Sequence, residues 1–317
     1  MEQAGPSDRI SPTRWLDWQR HRHLSREDFA EYQFQAARGR IAAITARLGI
    51  TVPRVLDVGC GLGGMATAYA LEGGRVTAVD VELYDAETIR FAQAFARSKG
   101  ATIHFLAVEE REWPMADTTF DVVFLDSVLE HARDPHQLLW QSTRVLRPGG
   151  WMFVSFPVFY GPFGGHIDDY IRTPWFHLLP RGIVIRTLRG RRPIGEYVTP
   201  GFVEGLYLSL NRLTLRRFKG LVCALPLEVV ELSRSAYLTT AGNQLIFDLR
   251  TAAHQRDWLA GWSAVRRIPK DFGLAEFCLF LLLLCTLPFM RVPLLQECFL
   301  GGVRATLRKT QLGLAPP

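Results

Sequence analysis

Val55–Gly64 reads VLDVGCGLGG, an apolar run interrupted by the acidic Asp57 and followed by glycines at 59, 61, 63 and 64. A short branched-apolar run of this kind is a strand signal, and the glycines mark the turn from that strand into a helix. Glycine there permits a tight turn and lets a ligand approach the backbone closely. Gly59, Gly61 and Gly64 satisfy the spacing G-x-G-x-x-G, so the turn alone suits a dinucleotide as well as other nucleotide-like ligands. The flanking segments have to separate these readings.

Working outward, Arg75–Val79, Thr102–Ala107, Phe120–Leu125 and Trp151–Phe156 are further short apolar segments that read as strands. Asp85 opens and Gly100 closes a helix, and Asp134-Pro135 starts another along Leu138, Leu139, Ser142, Val145 and Leu146. Upstream, Ser25 and Asp28 form a capping-box pattern. Phe29, Ala37, Ile41, Ile44 and Leu48 then recur near the helical period, predicting one helix as far as Gly49. Downstream, Pro157 to Pro200 reads as a substrate-side insertion, followed by a helix from Gly201 to about Phe218. Leu227–Leu232 and Val303–Leu307 are assigned as the last two strands.

Strand alternating with helix implies a parallel sheet. The expected fold is α/β, a Rossmann-like three-layer sandwich around a mostly parallel seven-stranded sheet. Residues 1–49 form an N-terminal helical extension and 50–157 the cofactor core. Residues 158–317 hold the substrate-side insertion, the C-terminal helices and the remaining core strands.

The 317 residues are 48% hydrophobic and 21% charged, ordinary proportions for a globular enzyme with a large core. The formal net charge of +6 favours acidic substrates, nucleic acid or anionic headgroups without choosing among them. Five cysteines show neither a disulfide framework nor zinc-site spacing, and the first fifteen residues lack an apolar export core, so a cytoplasmic protein is expected. Phe277–Met290 is an uncharged run of 14 residues containing Pro288, short for a membrane span. It reads as core or substrate lining, with peripheral membrane contact as the alternative that the basic groups Arg181–Arg192 and Arg212–Lys219 keep open.

With these flanks, the glycine turn resembles the cofactor core of class I S-adenosylmethionine-dependent methyltransferases. The resemblance rests on Asp57 before the turn and on Glu109 twelve positions before Asp121 in AVEEREWPMADTTFDVVF. It also rests on LDSVLEHARDP (Leu125–Pro135) and VLRPGG (Val145–Gly150), and it covers residues 50–157. It implies S-adenosylmethionine as cofactor, held by Asp57, Gly59, Gly61, Gly63 and Asp126, with Glu109 meeting the adenine amino group and Glu110 shaping that pocket. Asp80, at the end of VTAVD, offers a carboxylate to both ribose hydroxyls, as it would in a dinucleotide enzyme. Asp121 reads as a strand-start or solvent residue and stays outside the site.

The implied activity is methyl transfer to a small or lipophilic acceptor, with a hydroxyl favoured. N- or C-methylation comes next, then a nucleic-acid methyltransferase, then a non-catalytic protein on a relic core. No nucleic-acid recognition module is evident, and the segment after the fourth strand lacks an Asn/Asp-Pro-Pro-Tyr signature. Glu130-His131 is similar to the Leu-Glu-His run of ubiquinone-type O-methyltransferases, but Ser127 stands where some of these have a further acid, and no metal is expected. His166, in the glycine-rich GPFGGHIDDY after the fifth strand, is the candidate general base, set against a loop-fixing role it shares with Asp168, Asp169 and Tyr170. His131 is its competitor.

Overall fold

All seven expected strands form. In the computed structural model, the described residues are 24–236, 258–266, 274–292 and 295–311, with a few positions between 242 and 253. The N-terminal stretch read for an export signal lies outside them. β1 (Arg54–Val58), β2 (Arg75–Asp80), β3 (His104–Ala107), β4 (Phe120–Asp126) and β5 (Leu146–Pro157) are parallel. β7 (Gly302–Lys309) runs antiparallel between β5 and β6 (Leu227–Ser235), giving the spatial order β3-β2-β1-β4-β5-β7-β6.

Side-chain alternation along β4 builds the layers. Val122 and Phe124 face a core shared with Ala30, Phe34, Ile41, Tyr69 and Phe95, whereas Val123 and Leu125 face one shared with Leu138, Leu139 and Phe218. The first face carries α1 (Arg26–Ala37), α2 (Arg40–Leu48), α3 (Gly64–Leu71) and α4 (Ala86–Ser98); the second carries α5 (Pro135–Val145) and α8 (Leu215–Cys223). Tyr69 stacks on Phe124 with ring centroids 4.3 Å apart, a contact worth about 0.5–1.5 kcal/mol beyond its burial. Lys309, at the end of β7, donates from Nζ to the carbonyls of Thr143 and Leu146 at 2.7 and 2.6 Å, filling acceptors that the end of α5 leaves open.

Two expected helices are each broken. The segment from Ser25 to Gly49 divides at Gly39, whose φ of 79° ends one helix and starts the next. Glu72 supplies the new start, accepting from the amides of Gly39, Ile41 and Ala42. The helix expected over Gly201–Phe218 divides into α7 (Pro200–Ser209) and α8. Between them Asn211 donates from Nδ2 to the carbonyls of Leu129 and Ala132, both at 2.8 Å, pinning the break to the loop after β4. The basic part of the insertion folds as α6 (Arg181–Arg189).

Asp121 is not a solvent residue. It is buried, accepts from the amide of Arg54 at 2.7 Å and lies 2.6 Å from the Arg147 guanidinium, so its role is in the sheet. The apolar run departs from its expected packing. α9 (Trp258–Arg266) and α10 (Leu274–Leu284) belong to the excursion between β6 and β7, and only 11% of Leu274–Arg291 is buried. Phe280 and Leu283 are its buried members, with Phe277, Leu279, Leu284 and Leu287 partly buried against them and Met290 against the main core, so most of the run stays accessible and none of it lines the cavity. By length and composition this segment is apolar enough to cross a membrane.

Candidate active site

The connections after β1 and β4 leave for opposite faces of the sheet, which opens a crevice at the carboxyl ends of these adjacent strands. A cavity of about 1260 Å³ occupies it, bounded by Gly59, Gly61, Asp80, Glu109, Glu110 and Asp126 at one side. Gly59 and Gly61 hold φ of 72° and 49°. A side chain on Gly59 would collide with Val128, whereas Gly61 faces open space. Gly63 does not line the cavity: its φ is 78°, and a Cβ there would press 3.0 Å from the Phe105 ring, so it serves helix-to-sheet packing.

Asp80 uses one oxygen to accept from Gly61 N at 2.7 Å and the other from Glu82 N at 2.9 Å. A carboxylate has about four acceptor positions, so the same group can both tie the glycine turn to β2 and receive ligand hydroxyls. Burial raises its pKa against these amide bonds. Glu109 lines the cavity, and its carbonyl accepts from the Trp113 indole at 2.9 Å. Glu110 is committed to structure: its two oxygens accept from the amides of Arg133 and Asp134 at 2.7 and 2.8 Å, fixing the loop that carries His131.

Asp57 also stands behind the wall rather than on it. Burial, reinforced by the nearby Asp126 charge and opposed by Arg40, raises its pKa to about 8, and its Oδ2 is buried without a hydrogen-bond partner. Asp126 is on the wall, where it takes a hydrogen bond from Ser155 and an ion pair from Arg40. Arg40 was not legible as a site residue, because it sits in a helix start far from the strand motifs and only the tertiary fold brings it here.

His131, His166, Asp168, Tyr197 and Phe202 line the same cavity. The rings of His131 and His166 meet edge to face at 4.9 Å. His166 Nε2 lies 3.5 Å from Oε1 of Glu130, a carboxylate that is 2% exposed and has no hydrogen-bonded partner on either oxygen. Burial pulls the His166 pKa down, but Glu130, with Asp168 and Asp169 behind it, outweighs that and raises it. His131 differs: burial and the His166 charge push its pKa down to about 3, and its Nδ1 meets Ser209 Oγ at 2.6 Å. His166 and Ser127, both on the wall, hold left-handed φ of 53° and 58°, a backbone state that costs non-glycine residues about 1–3 kcal/mol and clusters at functional sites.

One ligand atom each from Glu130, His131 and His166 lies within 4.8 Å of the others, a spacing that a cation could bridge as well as a proton. Sequence had singled out each of these residues separately. Their convergence depends on the loop after β5 folding back over the loop after β4.

Residues 56–154 match the family model described as a methyltransferase domain. A ubiquinone biosynthesis O-methyltransferase of Chromobacterium violaceum is 34% identical over 118 residues, which are 37% of this chain and 49% of that protein. An uncharacterized methyltransferase of a Mycobacterium sp. is 36% identical over 115 residues, 35% of this chain and 42% of that protein. The chain thus spans about half the length of the curated relatives it matches. Among solved structures, a SAM-dependent methyltransferase from Methanosarcina mazei aligns over 84% of this chain and 97% of that one, at 18% identity and a TM-score of 0.48.

The residues fit a cationic nucleoside ligand. The glycine turn leaves room beside Gly61, Asp80 has acceptor capacity for hydroxyls, and Asp126 adds a second carboxylate to the wall beside its ion pair with Arg40. The sheet order, the strand-end carboxylates and the family match together identify this chain as one built on a class I S-adenosylmethionine-dependent methyltransferase core.

Proposed function

We propose that this protein transfers a methyl group to a hydroxyl of a small or lipophilic acceptor, with His166 as general base and Glu130 as its positioning residue. The observation that carries the reading is the Glu130–His166 pair, 3.5 Å apart, with His166 on the wall of the cavity that Asp80 and Glu109 also line and Glu130 buried behind it. Bound S-adenosylmethionine supplies the methyl group on a sulfonium leaving group, so no covalent enzyme intermediate is needed.

In this reading Asp80 and the glycine turn hold the nucleoside end, and Glu109, on the same cavity wall, takes the adenine amino group. Tyr197 and Phe202 exclude water from the acceptor side. With Nε2 of His166 turned to Glu130, Nδ1 is the nitrogen left to take the acceptor proton, and the carboxylate stabilises the imidazolium that results. His131, with a conjugate acid near 3, is a poor base at neutral pH, and its hydrogen bond to Ser209 suits it to shaping the wall.

The test is release of S-adenosylhomocysteine with a series of hydroxylated aromatic acceptors of rising lipophilicity. His166→Ala should lower turnover by about a hundredfold with cofactor affinity unchanged. Unchanged turnover removes the histidine base, and failure of the parent protein to bind the cofactor removes the methyl-transfer reading itself.

A further inference from the structure

Between Ser235 and Gly302 the chain leaves the sheet and returns at one place, because these two residues are strand partners. Gly302 also pairs with Pro157 at the carboxyl end of β5. The excursion therefore rises from the edge of the sheet on which the cavity opens.

Apart from Glu276 in its first turn, its helix α10 is apolar all round. Phe280 and Leu283 are buried, with Phe163, Ile246 and Leu287 packed against them. Another stripe, Leu274, Cys278, Leu281, Leu282 and Cys285, follows the i, i+4, i+7, i+8, i+11 spacing of a single helical face and is exposed, Leu274 at 83% and Leu282 at 57%. A helix packed on a soluble protein keeps such a face polar. α9 shows Leu259 and Trp262 exposed at 82% and 60%, with the Arg266 guanidinium 5.9 Å over the Trp262 ring. Cations outnumber acids at the ends of the apolar run, with Arg266, Arg267 and Lys270 against Asp271 and Glu276 before it and Arg291 after it.

We infer that this excursion docks the protein onto the surface of an anionic lipid bilayer. An exposed apolar stripe with an excess of cations at its ends, together with an exposed tryptophan on the preceding helix, matches the boundary between acyl chains and headgroups. The helix lies in that boundary and does not cross it. The 11 residues of α10 rise about 16 Å, and beyond them Leu287–Arg291 forms a separate 3-10 turn containing Pro288. A bilayer core needs roughly 20 helical residues. A second copy of this chain is the weaker occupant, because a net charge of +6 brings like charges together, whereas anionic headgroups attract them.

The docked face communicates with the cavity through the loop after β5. Phe163 of that loop packs on the α10 cluster, and Trp175 donates from Nε1 to the Cys298 carbonyl at 2.9 Å and meets the Phe299 ring at 5.8 Å. His166 lies between Phe163 and Trp175 in the same loop. A lipophilic acceptor dissolved in the bilayer would reach His166 from the docked side; that corollary rests on the function proposed above, whereas docking itself does not.

The experiment is co-sedimentation of the full chain with phosphatidylcholine vesicles, with and without phosphatidylglycerol. Binding should be at least tenfold tighter to the anionic vesicles. Leu281→Glu/Leu282→Glu should weaken it at least tenfold while affinity for S-adenosylmethionine stays unchanged, which shows that the core is intact. If that variant loses cofactor binding, Trp262→Ser, on a separate helix, takes its place with the same expectation. No sedimentation with either vesicle, or undiminished binding by the variant, overturns docking. A parent dimer that the variant dissolves, without vesicle binding by the parent, assigns the stripe to a second copy and overturns it too.

Discussion

The guanidinium of Arg40 lies 2.5 Å from the carboxylate of Asp126, joining the N-terminal helical pair to the carboxyl end of β4. Asp57, behind the glycine turn, feels both charges. Arg40→Met leaves the Asp126 carboxylate without its cation and removes the charge that opposes the rise of the Asp57 pKa. The pair is partly solvated, its side chains 33% and 18% exposed, so the loss should fall below that of a fully buried pair, at about 1–3 kcal/mol. Denaturant titration checks this, and an unchanged midpoint would remove Arg40 from the electrostatics of the site.

Asp57 gives a prediction of opposite sign. Its folded pKa, about 8, lies above the ordinary carboxylate value because of burial. The stability linked to this shift is fully present below the unfolded value, about 3.9, and is lost as pH rises through about 8. Asp57→Asn should therefore raise the melting temperature at pH 8 to 9 and leave it nearly unchanged at pH 4. Above pH 8, where Asp57 carries its charge, the same change should also weaken S-adenosylmethionine binding, and at pH 4 it should not. Calorimetry at the two pH values measures both effects.

The glycines of the turn are not equivalent. Gly61→Ala meets open space and suffers only its positive φ, a strain of about 1–2 kcal/mol. Gly59→Ala adds a collision with Val128, the second residue after Asp126. Gly59→Ala should abolish cofactor binding through collapse of the turn, while Gly61→Ala, whose methyl enters the room left beside the turn, should weaken binding with a smaller loss of stability. Equal affinities in titration calorimetry would contradict this picture of the cradle.

Turnover and stability should respond to pH in opposite directions. As the proposed general base, His166 has to be neutral to accept a proton, and its pKa is raised by Glu130. The rising limb of kcat/KM should lie above the usual histidine value of about 6.5. Glu130→Gln should shift that limb to lower pH, a change that simple loss of packing would not produce. Both raised groups give stability that is fully present below their unfolded values and lost as pH climbs through the folded ones. Melting temperature should therefore decline over the range in which the rate increases.

Lys309→Met removes the ammonium from the carbonyls of Thr143 and Leu146. Leaving buried acceptors unpaired costs about 1–3 kcal/mol, or a few degrees in melting temperature for a domain of this size. Cofactor affinity should not change, because Lys309 does not line the cavity.

Sequence legibility followed the range of the forces involved. Each strand announced itself through a local apolar run, and the carboxylates at strand ends could be placed because β2 and β4 end where their runs end. What escaped was set by partners distant in sequence. Glu72 starts α2, Asn211 interrupts the helix expected over 201–218, and Lys309 closes the end of α5. Arg40 was missed for the same reason, and Gly63 and Asp57 were placed on the ligand wall because adjacency in a motif does not reveal which side of a turn faces the cavity. The run Phe277–Met290 was expected to pack inward, since apolarity by itself does not distinguish a protein interior from another nonaqueous phase.

The pairing of Ser235 with Gly302 makes β6 and β7 a hairpin with an oversized connection. The ladder between them does not depend on what that connection contains, and loop-closure entropy grows only slowly with length. The connection is thus a cartridge: a lineage can lengthen, shorten or replace it without re-registering the sheet or moving the carboxylates at the ends of β2 and β4. Address and chemistry can evolve on separate schedules in one chain.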